Sequence, residues 1–285
     1  MIPSPLVDVD WLAAHAARDD VRIVDCRWSL SGPPAAEAYA RGHLPGAAFV
    51  DLDLELAAPR GHGPGRHPIP RAEDFARVLA RLGVRAETRV VGYDDVGGAI
   101  AARLWWLLRH FGHGGGRVLD GGLQAWTASG RPLDTEAPTI APAAPLALTA
   151  GHAPVVDKRQ VDLLRRDPTA RVVDARARER YEGRSEPVDA RPGHIPGALA
   201  APFVENLVAP GGRFAPLDAL RARYAALGLL DARAVVCSCG SGVTACHDLL
   251  ALALLGRDDA ALYEGSWSDW AADASLPAAT GIEPG

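Results

Sequence analysis

The sequence predicts an α/β fold made of two tandem domains, each a mostly parallel sheet flanked by helices. Two observations lead to this architecture, before any family is considered. Short β-branched segments alternate with apolar helical patterns along the chain, which is typical of parallel sheets covered by helices. The same order of motifs also occurs twice, as expected for two copies of one domain.

The internal repeat pairs four segments in the same order and at nearly the same spacing. Between the copies lies a Pro- and Ala-rich, almost uncharged stretch, which is typical of a semi-extended linker. We therefore predict an N-terminal domain at 1–137, a linker at 138–154 and a C-terminal domain at 155–285. The paired segments are Val21–Arg27 with Ala170–Arg176, Arg41–Ala47 with Pro192–Ala198, Arg89–Asp94 with Ala234–Cys239, and Asp120–Gly122 with Glu264–Ser266.

The elements within each copy follow from the local patterns. β-Branched runs predict strands, and apolar residues at helical spacing predict helices. In such sheets ligands bind beyond the carboxyl ends of the strands. In chain order the predicted elements are strand Arg22–Asp25, helix Glu73–Leu82, strand Arg89–Gly92, helix Ala99–Phe111, helix Ala219–Leu227, strand Ala234–Cys237 and helix Val243–Leu255.

Composition excludes several classes of function. The 285 residues carry a net charge of −5, which argues against a broad nucleic-acid interface. The longest apolar run, Leu249–Leu255, is far shorter than the roughly 20 residues of a membrane span. The N-terminus lacks the pattern of a secretory signal. The four cysteines are spaced too unevenly for a disulfide framework, so we expect a cytoplasmic protein.

One thiol has the surroundings of a nucleophile. Cys239 follows an apolar strand and begins a Gly- and Ser-rich loop that leads into a helix. Loop N–H groups and the positive end of the helix favour a thiolate over a thiol. A buried core cysteine is the alternative, and core packing is the interpretation we prefer for Cys237 and Cys246. We do not expect a disulfide between Cys237 and Cys239, because residues two apart on a strand are near the upper distance limit.

Two other kinds of site fit this segment less well. A zinc site would use Cys237, Cys239, Cys246 and His247, but the cysteine spacing is C-x-C and the last two residues are adjacent, so their side chains point in different directions. A cysteine phosphatase needs an arginine six positions after its cysteine to bind phosphate. Ala245 occupies that position. We therefore expect neither a metal site nor phosphatase chemistry.

The loop Cys239-Gly240-Ser241-Gly242-Val243-Thr244 resembles the active-site loop of the rhodanese-type sulfurtransferases. Within that family it is most similar to the branch that uses 3-mercaptopyruvate, because thiosulfate-specific members carry basic residues in this loop. The flanking motifs extend the resemblance over essentially the whole chain. It implies two tandem rhodanese-like domains, of which the C-terminal one is catalytic. In the N-terminal domain Asp94 replaces the cysteine, so that domain is expected to be non-catalytic.

The resemblance also assigns roles to individual residues. It implies that Ser241, His67 and Asp53 form a proton relay, although Asp51 is an alternative to Asp53. Arg180 is expected to bind the substrate carboxylate, together with a second arginine for which Arg191 is preferred over Arg184. His43 and His194 recur in both copies and are expected to be structural. The remaining predicted substrate-binding residues are those of the loop itself: Gly240, Gly242, Val243 and Thr244.

The implied reaction is sulfur transfer without a metal or an organic cofactor. A Cys239 persulfide would carry sulfur from 3-mercaptopyruvate to a thiol, such as thioredoxin or a small thiol, or to cyanide. The expected partners are thus a small anionic sulfur donor and a thiol or cyanide acceptor, with no nucleic acid and no membrane. Two alternatives remain at this point: thiosulfate as the donor, and a sulfur-carrier or redox interaction protein without small-molecule turnover.

Overall fold

The computed structural model describes residues 4–30, 32–209 and 212–285, which form two compact units. Unit 1 takes the described residues up to Ala58, then Pro70–His152 and Leu207–Phe214. Unit 2 takes Pro59–Ile69, Ala153–Asn206 and Ala215–Gly285. Each half of the sequence therefore contributes one short segment to the unit built mainly from the other half.

Unit 1 alternates strands and helices as the sequence predicts. Among its described residues the main sheet has five strands, and every neighbouring pair is parallel. In chain order the elements are β1 (Leu6–Val7), α1 (Val9–His15), β2 (Val21–Asp25), α2 (Ala35–Arg41), β3 (Ala48–Phe49), α3 (Leu52–Glu55), α4 (Ala72–Arg81), β4 (Arg89–Tyr93), α5 (Ala101–His110), β5 (Gly116–Leu119) and α6 (Gly122–Ala128). The strand order is β1-β5-β4-β2-β3.

The second half of the chain repeats this topology. Its elements are β6 (Val155–Val156), α7 (Lys158–Leu164), β7 (Ala170–Asp174), α8 (Arg178–Tyr181), β8 (Ala198–Ala200), a 3₁₀ turn (Phe203–Asn206), β9 (Leu207–Val208), β10 (Arg213–Phe214), α9 (Leu217–Ala226), β11 (Ala234–Ser238), α10 (Ala245–Leu254), β12 (Ala261–Tyr263) and α11 (Ser266–Ala272). Over the described residues of unit 2 the parallel strands follow the order β6-β12-β11-β7-β8, while β9 and β10 form an antiparallel pair in unit 1. The predicted fold class is confirmed.

The predicted helices and strands lie within two residues of the observed ones. The largest functional difference is at the start of α10, which begins at Ala245 rather than at Val243. Gly242 adopts a left-handed backbone with φ of 76°, so the chain is still turning at that point. Thr244 then occupies the N-cap position, without a hydrogen bond from its side chain to the helix. The loop after Cys239 is therefore longer than the sequence pattern indicates.

The β4 strand shows how the sheet is covered on both faces. Val91 and Tyr93 belong to a buried cluster with Leu12 of α1. Gly92, between them, faces α5 so closely that an added Cβ would lie 3.3 Å from Cδ2 of Leu104. Because side chains alternate between the faces of a strand, α1 and α5 cover opposite faces. The two helices therefore hold the carboxyl end of β4 in place. The loop that begins at Asp94 follows that end of the strand.

Both units contain an equivalent buried ion pair at the carboxyl end of a strand, β2 in unit 1 and β7 in unit 2. Arg27 donates from Nη2 to Asp25 at 2.6 Å, and Arg176 donates to Asp174 at 2.6 Å. Each arginine also donates to the carbonyl of the glycine that precedes the repeated histidine. All four side chains are buried. Through these hydrogen bonds, each arginine holds the end of its strand against the loop that contains the repeated histidine.

The repeated histidines are structural, as predicted. His43 and His194 are buried, and Nδ1 of each contacts the carbonyl oxygen of a tyrosine, Tyr39 at 2.9 Å and Tyr181 at 2.8 Å. Each imidazole also stacks on the ring of that tyrosine. The carbonyl oxygens of both tyrosines lie in the helix that precedes the histidine.

In the described part of the chain, no helix is both long enough and apolar enough to cross a membrane. The longest helices, α4, α5, α9 and α10, have 10 residues each. Of these, α10 carries an acidic side chain inside unit 2. Asp248 is fully buried, and its Oδ1 accepts hydrogen bonds from Asn206 and Tyr224. Its Oδ2 has no partner among the residues that the structure describes.

Burial raises the pKa of Asp248 to about 7, against the opposing effects of Arg223, Asn206 and Tyr224. In the unfolded chain this carboxyl titrates near 3.9. Between those values the folded protein binds more protons, so the free energy of unfolding should fall as pH rises from about 4 to about 7. We expect Asp248→Asn, which stays uncharged, to lose this contribution.

Denaturant unfolding at about pH 5 and about pH 8 checks this expectation. The difference in unfolding free energy between the two pH values should be smaller in Asp248→Asn than in the wild type. Other titrating groups cancel in that comparison. An equal pH difference in both proteins would contradict a raised pKa for the buried Asp248 carboxyl.

Candidate active site

Cys239 lies directly after β11, at the carboxyl end of the sheet in unit 2. Its side chain is buried, with 2 % of the residue exposed. Among the described residues, two N–H groups of the loop contact Sγ: Gly242 at 3.1 Å and Ser241 at 3.5 Å. N–H groups that converge on one sulfur atom stabilise negative charge there. This is the environment that the sequence predicts for the nucleophile.

The position of Gly242 requires glycine for two reasons. Its φ of 76° is in the left-handed region, where other residues are strained. An added Cβ would also lie 2.5 Å from the carbonyl oxygen of Glu264. The loop can therefore direct this N–H towards Sγ only because no side chain is present at residue 242.

The other three cysteines differ from Cys239. Burial raises the pKa of the Cys26 and Cys237 thiols well above the usual value, so both stay protonated. Cys246 directs Sγ to the carbonyl oxygen of Gly242 at 3.3 Å. All four cysteines are free thiols. Among the described residues, no group of three or more His, Cys, Asp or Glu side chains is arranged to hold a metal ion.

His67 and Ser241 are 174 residues apart in the sequence but form a direct contact. Nδ1 of His67 lies 2.7 Å from Oγ of Ser241, and both residues are buried. The contact lies within unit 2, because segment 59–69 belongs to that unit. Thus two of the three predicted relay residues are brought together. A histidine within hydrogen-bond reach of a hydroxyl group can move a proton through it.

The turn after β12 holds the segment that carries His67. The N–H of Arg66 donates to Oγ of Ser268 at 3.0 Å, and the N–H of Ile69 lies 3.3 Å from Oε2 of Glu264. At Gly65 an added Cβ would be 2.5 Å from the carbonyl oxygen of Gly265. Close backbone packing and two hydrogen bonds therefore fix the segment on both sides of His67.

Asp53 lies in α3 of unit 1, where its Oδ2 accepts a hydrogen bond from the Trp28 indole at 2.8 Å. Asp51, the alternative, caps the same helix by accepting from the N–H groups of Asp53 and Leu54. Because its carboxylate is occupied by the helix start, Asp51 is less suited to orient a histidine. The role of Asp53 as the third relay residue stays a prediction.

Two arginines border the loop beside the nucleophile. Arg180 and Arg66 share the carboxylate of Asp189, with Nη to Oδ distances of 2.9 Å and 2.5 Å. A Cβ added to Gly240 would lie 3.3 Å from Nη2 of Arg66 and 3.4 Å from Nη1 of Arg180. Sequence reasoning predicts Arg180 but misses Arg66. The one feature of the sequence that points to Arg66 is its position next to His67. That feature does not distinguish Arg66 from a surface arginine.

Glu186 holds Arg180 from the other side. Its Oε1 accepts from Nη2 of Arg180 at 2.7 Å and from the N–H groups of Val188 and Asp189. Burial alone would raise the pKa of Glu186, but these hydrogen bonds and the charge of Arg180 lower it below the usual value. An ionised Glu186 therefore fixes the orientation of the guanidinium group.

Arg191 and Arg184 are the two candidates for the second substrate-binding arginine, and their guanidinium groups make different contacts. The Arg191 guanidinium donates to four carbonyl oxygens at and after the end of α11, those of Trp270, Ala271, Asp273 and Leu276. With its donors directed to backbone, this geometry does not support the predicted role for Arg191. Arg184 is exposed and pairs with Glu182. Arg66, and not Arg191, borders Gly240.

The equivalent loop of unit 1 encloses a carboxylate instead of a sulfur atom. Oδ1 of Asp94 accepts from the N–H groups of Val96 and Gly98, and Oδ2 accepts from those of Ile100 and Ala101, at 2.8 to 2.9 Å. The loop therefore has the intrinsic geometry of an anion site. In the repeat these donors correspond to Ser241, Val243, Ala245 and Cys246. Thr244 corresponds to Ala99, which gives Asp94 no such bond.

A family model described as the rhodanese-like domain matches residues 8–129 and again residues 157–273. The chain is 42% identical to a probable 3-mercaptopyruvate sulfurtransferase of Pseudomonas aeruginosa, over 99% of this chain and 100% of the relative. It is 39% identical to a putative thiosulfate sulfurtransferase, SseB, of Mycobacterium tuberculosis, over 93% of both chains. The matches thus span both copies of the repeat.

A solved structure is similar over nearly the same extent. It is SseA from Escherichia coli, described as showing the rhodanese fold and the catalytic mechanism of 3-mercaptopyruvate sulfotransferases. The TM-score is 0.81 at 34% identity, and the alignment covers 93% of this chain and 99% of SseA.

The two loop glycines give a matched pair of variants. Gly240 does not have a left-handed φ, so Gly240→Ala should fold normally while its methyl group displaces the two guanidinium groups. We expect KM for the 3-mercaptopyruvate donor to rise about tenfold, equivalent to ~1.4 kcal/mol of binding, with little change in Tm. Gly242→Ala should instead lower Tm and abolish activity, because its Cβ meets the Glu264 carbonyl.

Steady-state kinetics and thermal unfolding of both variants check these outcomes. A wild-type KM in Gly240→Ala would mean that Arg66 and Arg180 do not border the bound donor. A fully active, equally stable Gly242→Ala would contradict the need for a left-handed residue beside the thiol.

Proposed function

We propose that this chain, which belongs to the rhodanese-like family, is a sulfurtransferase that moves sulfur from 3-mercaptopyruvate through a persulfide on Cys239. The observation that carries the proposal is the Cys239 Sγ within hydrogen-bonding distance of the Gly242 N–H, in a loop whose Ser241 contacts His67. The family and fold inferred from the sequence are confirmed by the matches described above. The assignment of roles to individual residues is our proposal.

The first half-reaction forms the persulfide. The Cys239 thiolate attacks the sulfur of 3-mercaptopyruvate, forming an S–S bond as the C–S bond breaks. The electron pair of the C–S bond passes to carbon, giving the enolate of pyruvate. Ser241 delivers a proton to that carbon and is re-protonated by His67, for which Asp53 is the proposed orienting carboxylate. Pyruvate leaves, and the outer sulfur stays on Cys239.

The second half-reaction returns the enzyme to its starting state. A thiolate or cyanide attacks the outer sulfur, the S–S bond of the persulfide breaks, and its electron pair returns to Cys239. Such ping-pong chemistry requires the enzyme to hold the persulfide between the two steps. The Asp94 loop supports this, because a carboxylate and a persulfide both place negative charge one bond beyond the first side-chain atom after Cβ. By that analogy the N–H groups of Ser241, Val243 and Ala245 face the outer sulfur, whereas the N–H of Cys246 donates to the carbonyl oxygen of Val243.

We assign carboxylate binding to Arg180 and Arg66. Their guanidinium groups border Gly240, next to the nucleophile, and Asp189 and Glu186 hold Arg180 in one orientation. Planar guanidinium groups bind carboxylates with two hydrogen bonds each. The pair therefore orients the donor with its sulfur towards Cys239.

Thiosulfate is the alternative donor, and a relative from Mycobacterium tuberculosis is named for it. The 2.7 Å contact between His67 and Ser241 favours 3-mercaptopyruvate. Thiosulfate loses sulfite with the electron pair of its S–S bond, so no carbon needs a proton. A proton relay beside the nucleophile therefore contributes to sulfur transfer from 3-mercaptopyruvate and not to sulfur transfer from thiosulfate.

The acceptor belongs to the same proposal. A sulfurtransferase of this family passes sulfur to a thiol or to cyanide, and we propose thioredoxin or a small thiol as the acceptor. The free state of all four cysteines supports a reducing compartment, and we propose the cytoplasm. A sulfur carrier without small-molecule turnover is the remaining alternative, and it would leave the arginine pair without a donor to bind.

Initial rates with the two donors test the proposal. We expect pyruvate release from 3-mercaptopyruvate to exceed sulfite release from thiosulfate with the same thiol acceptor. Ser241→Ala should lower the first rate about a hundredfold, the usual contribution of general acid catalysis, and leave the second nearly unchanged. Cys239→Ser is the blank. A thiosulfate preference that Ser241→Ala leaves untouched would establish the alternative donor, and no turnover of either would indicate a protein-borne sulfur source.

A further inference from the structure

The turn that follows β12 contains an unusual backbone conformation beside the nucleophile. Ser266 has φ of 51°, and within the described ranges it is the single non-glycine residue with a positive φ. Serine has no intrinsic preference for this region, which glycine adopts readily. Strained backbone of this kind persists where the surrounding structure uses it.

The repeat shows that the conformation belongs to the fold, whereas the serine belongs to one copy. Gly122, the counterpart of Ser266 in unit 1, follows β5 and has φ of 52°. There the loop lies so close that an added Cβ would be 2.3 Å from the carbonyl oxygen of Asp94. In the copy with aspartate, a glycine therefore adopts this backbone angle without strain. The copy with cysteine carries a serine at the same backbone angle.

The Ser266 hydroxyl group contacts the nucleophile's own peptide. The N–H of Cys239 donates to Oγ of Ser266 at 3.0 Å, while that hydroxyl donates to the carbonyl oxygen of Tyr263 at 2.8 Å. Ser266 is completely buried. Because the hydroxyl proton is committed to Tyr263, an oxygen lone pair faces Cys239. The contact is therefore directional and does not depend on water.

The backbone of the same turn completes the attachment. The N–H of Trp267 donates to the carbonyl oxygen of Cys239, and the N–H of Ser268 donates to that of Gly240, both at 2.9 Å. In unit 1 the N–H of Leu123 makes the bond equivalent to the first. The side-chain bond to the N–H of residue 239 is what Ser266 adds, since Gly122 has no hydroxyl group.

We propose that Ser266 is a positioning residue for Cys239: its hydroxyl group fixes the Cys239 peptide so that Sγ stays aligned with the loop N–H groups during persulfide formation. The inference rests on the proposed function. Without Oγ the N–H of Cys239 loses its partner, and its peptide is held through the Ser238 carbonyl oxygen, which accepts from the Ala175 N–H. The 3.1 Å contact between the Gly242 N–H and Sγ is then lost for part of the time. Ser266 acts through Cys239 and does not touch the donor.

Two substitutions separate positioning from stability. Ser266→Gly removes the hydroxyl group and relieves the strain, as in unit 1, whereas Ser266→Ala removes the hydroxyl group and keeps the strain. If the hydroxyl positions Cys239, both variants should lose kcat for pyruvate release by a similar factor of about ten, with KM little changed. The pH profile of kcat/KM should move to higher pH by the same amount in both. Their Tm values should nevertheless differ, with Ser266→Gly the more stable.

Ser275→Ala, at an exposed serine of unit 2, is the control and should match the wild type in every measurement. If activity instead follows Tm, so that Ser266→Gly is nearly wild type and Ser266→Ala is impaired, Ser266 is a structural residue and the proposal is wrong. Wild-type activity in both variants also overturns it. A wild type and control that turn over neither donor would overturn the proposed function itself, which distinguishes the two failures.

Discussion

The N–H of Gly242 lies 3.1 Å from Sγ of Cys239, and the other features of the site depend on this contact. It requires a left-handed residue at position 242, close packing of that residue against Glu264, and a helix that begins only at Ala245. Backbone donors of this kind stabilise an anion without a metal and without a basic side chain in the loop. On the proposed function, the arginines beside Gly240 bind the carboxylate of the donor.

The two copies of the domain show what a small change in such a loop can do. In unit 1 the loop satisfies its N–H groups with the carboxylate of Asp94, a covalently attached anion that cannot leave. In unit 2 the residue at that position is Cys239, whose sulfur can gain and lose a second sulfur. On the proposed function, the equivalent loop is structural in one unit and catalytic in the other. The turn after the last strand differs accordingly, with Gly122 in one unit and Ser266 in the other.

The fold and the nucleophile could be predicted from the sequence because both are local patterns: alternating strands and helices, and a strand that ends in a Gly-rich cysteine loop. The His67–Ser241 pair was accessible only through family resemblance, since its residues are 174 positions apart. The sequence does not single out Arg66 or Ser266. It also predicts a role for Arg191 that the contacts of its guanidinium group do not support. An arginine's partners depend on tertiary contacts that sequence spacing does not encode, and strain at one serine is visible only in φ.

The most direct test is to look for the sulfur on the enzyme. The wild-type protein is mixed with 3-mercaptopyruvate in the absence of an acceptor, and its peptides are analysed by mass spectrometry under conditions that preserve persulfides. We predict one added sulfur atom on the peptide that contains Cys239, at Cys239 itself, with pyruvate released in equal amount and the sulfur lost when cyanide is added. Pyruvate release without added sulfur, or sulfur on Cys26, Cys237 or Cys246, would contradict the account.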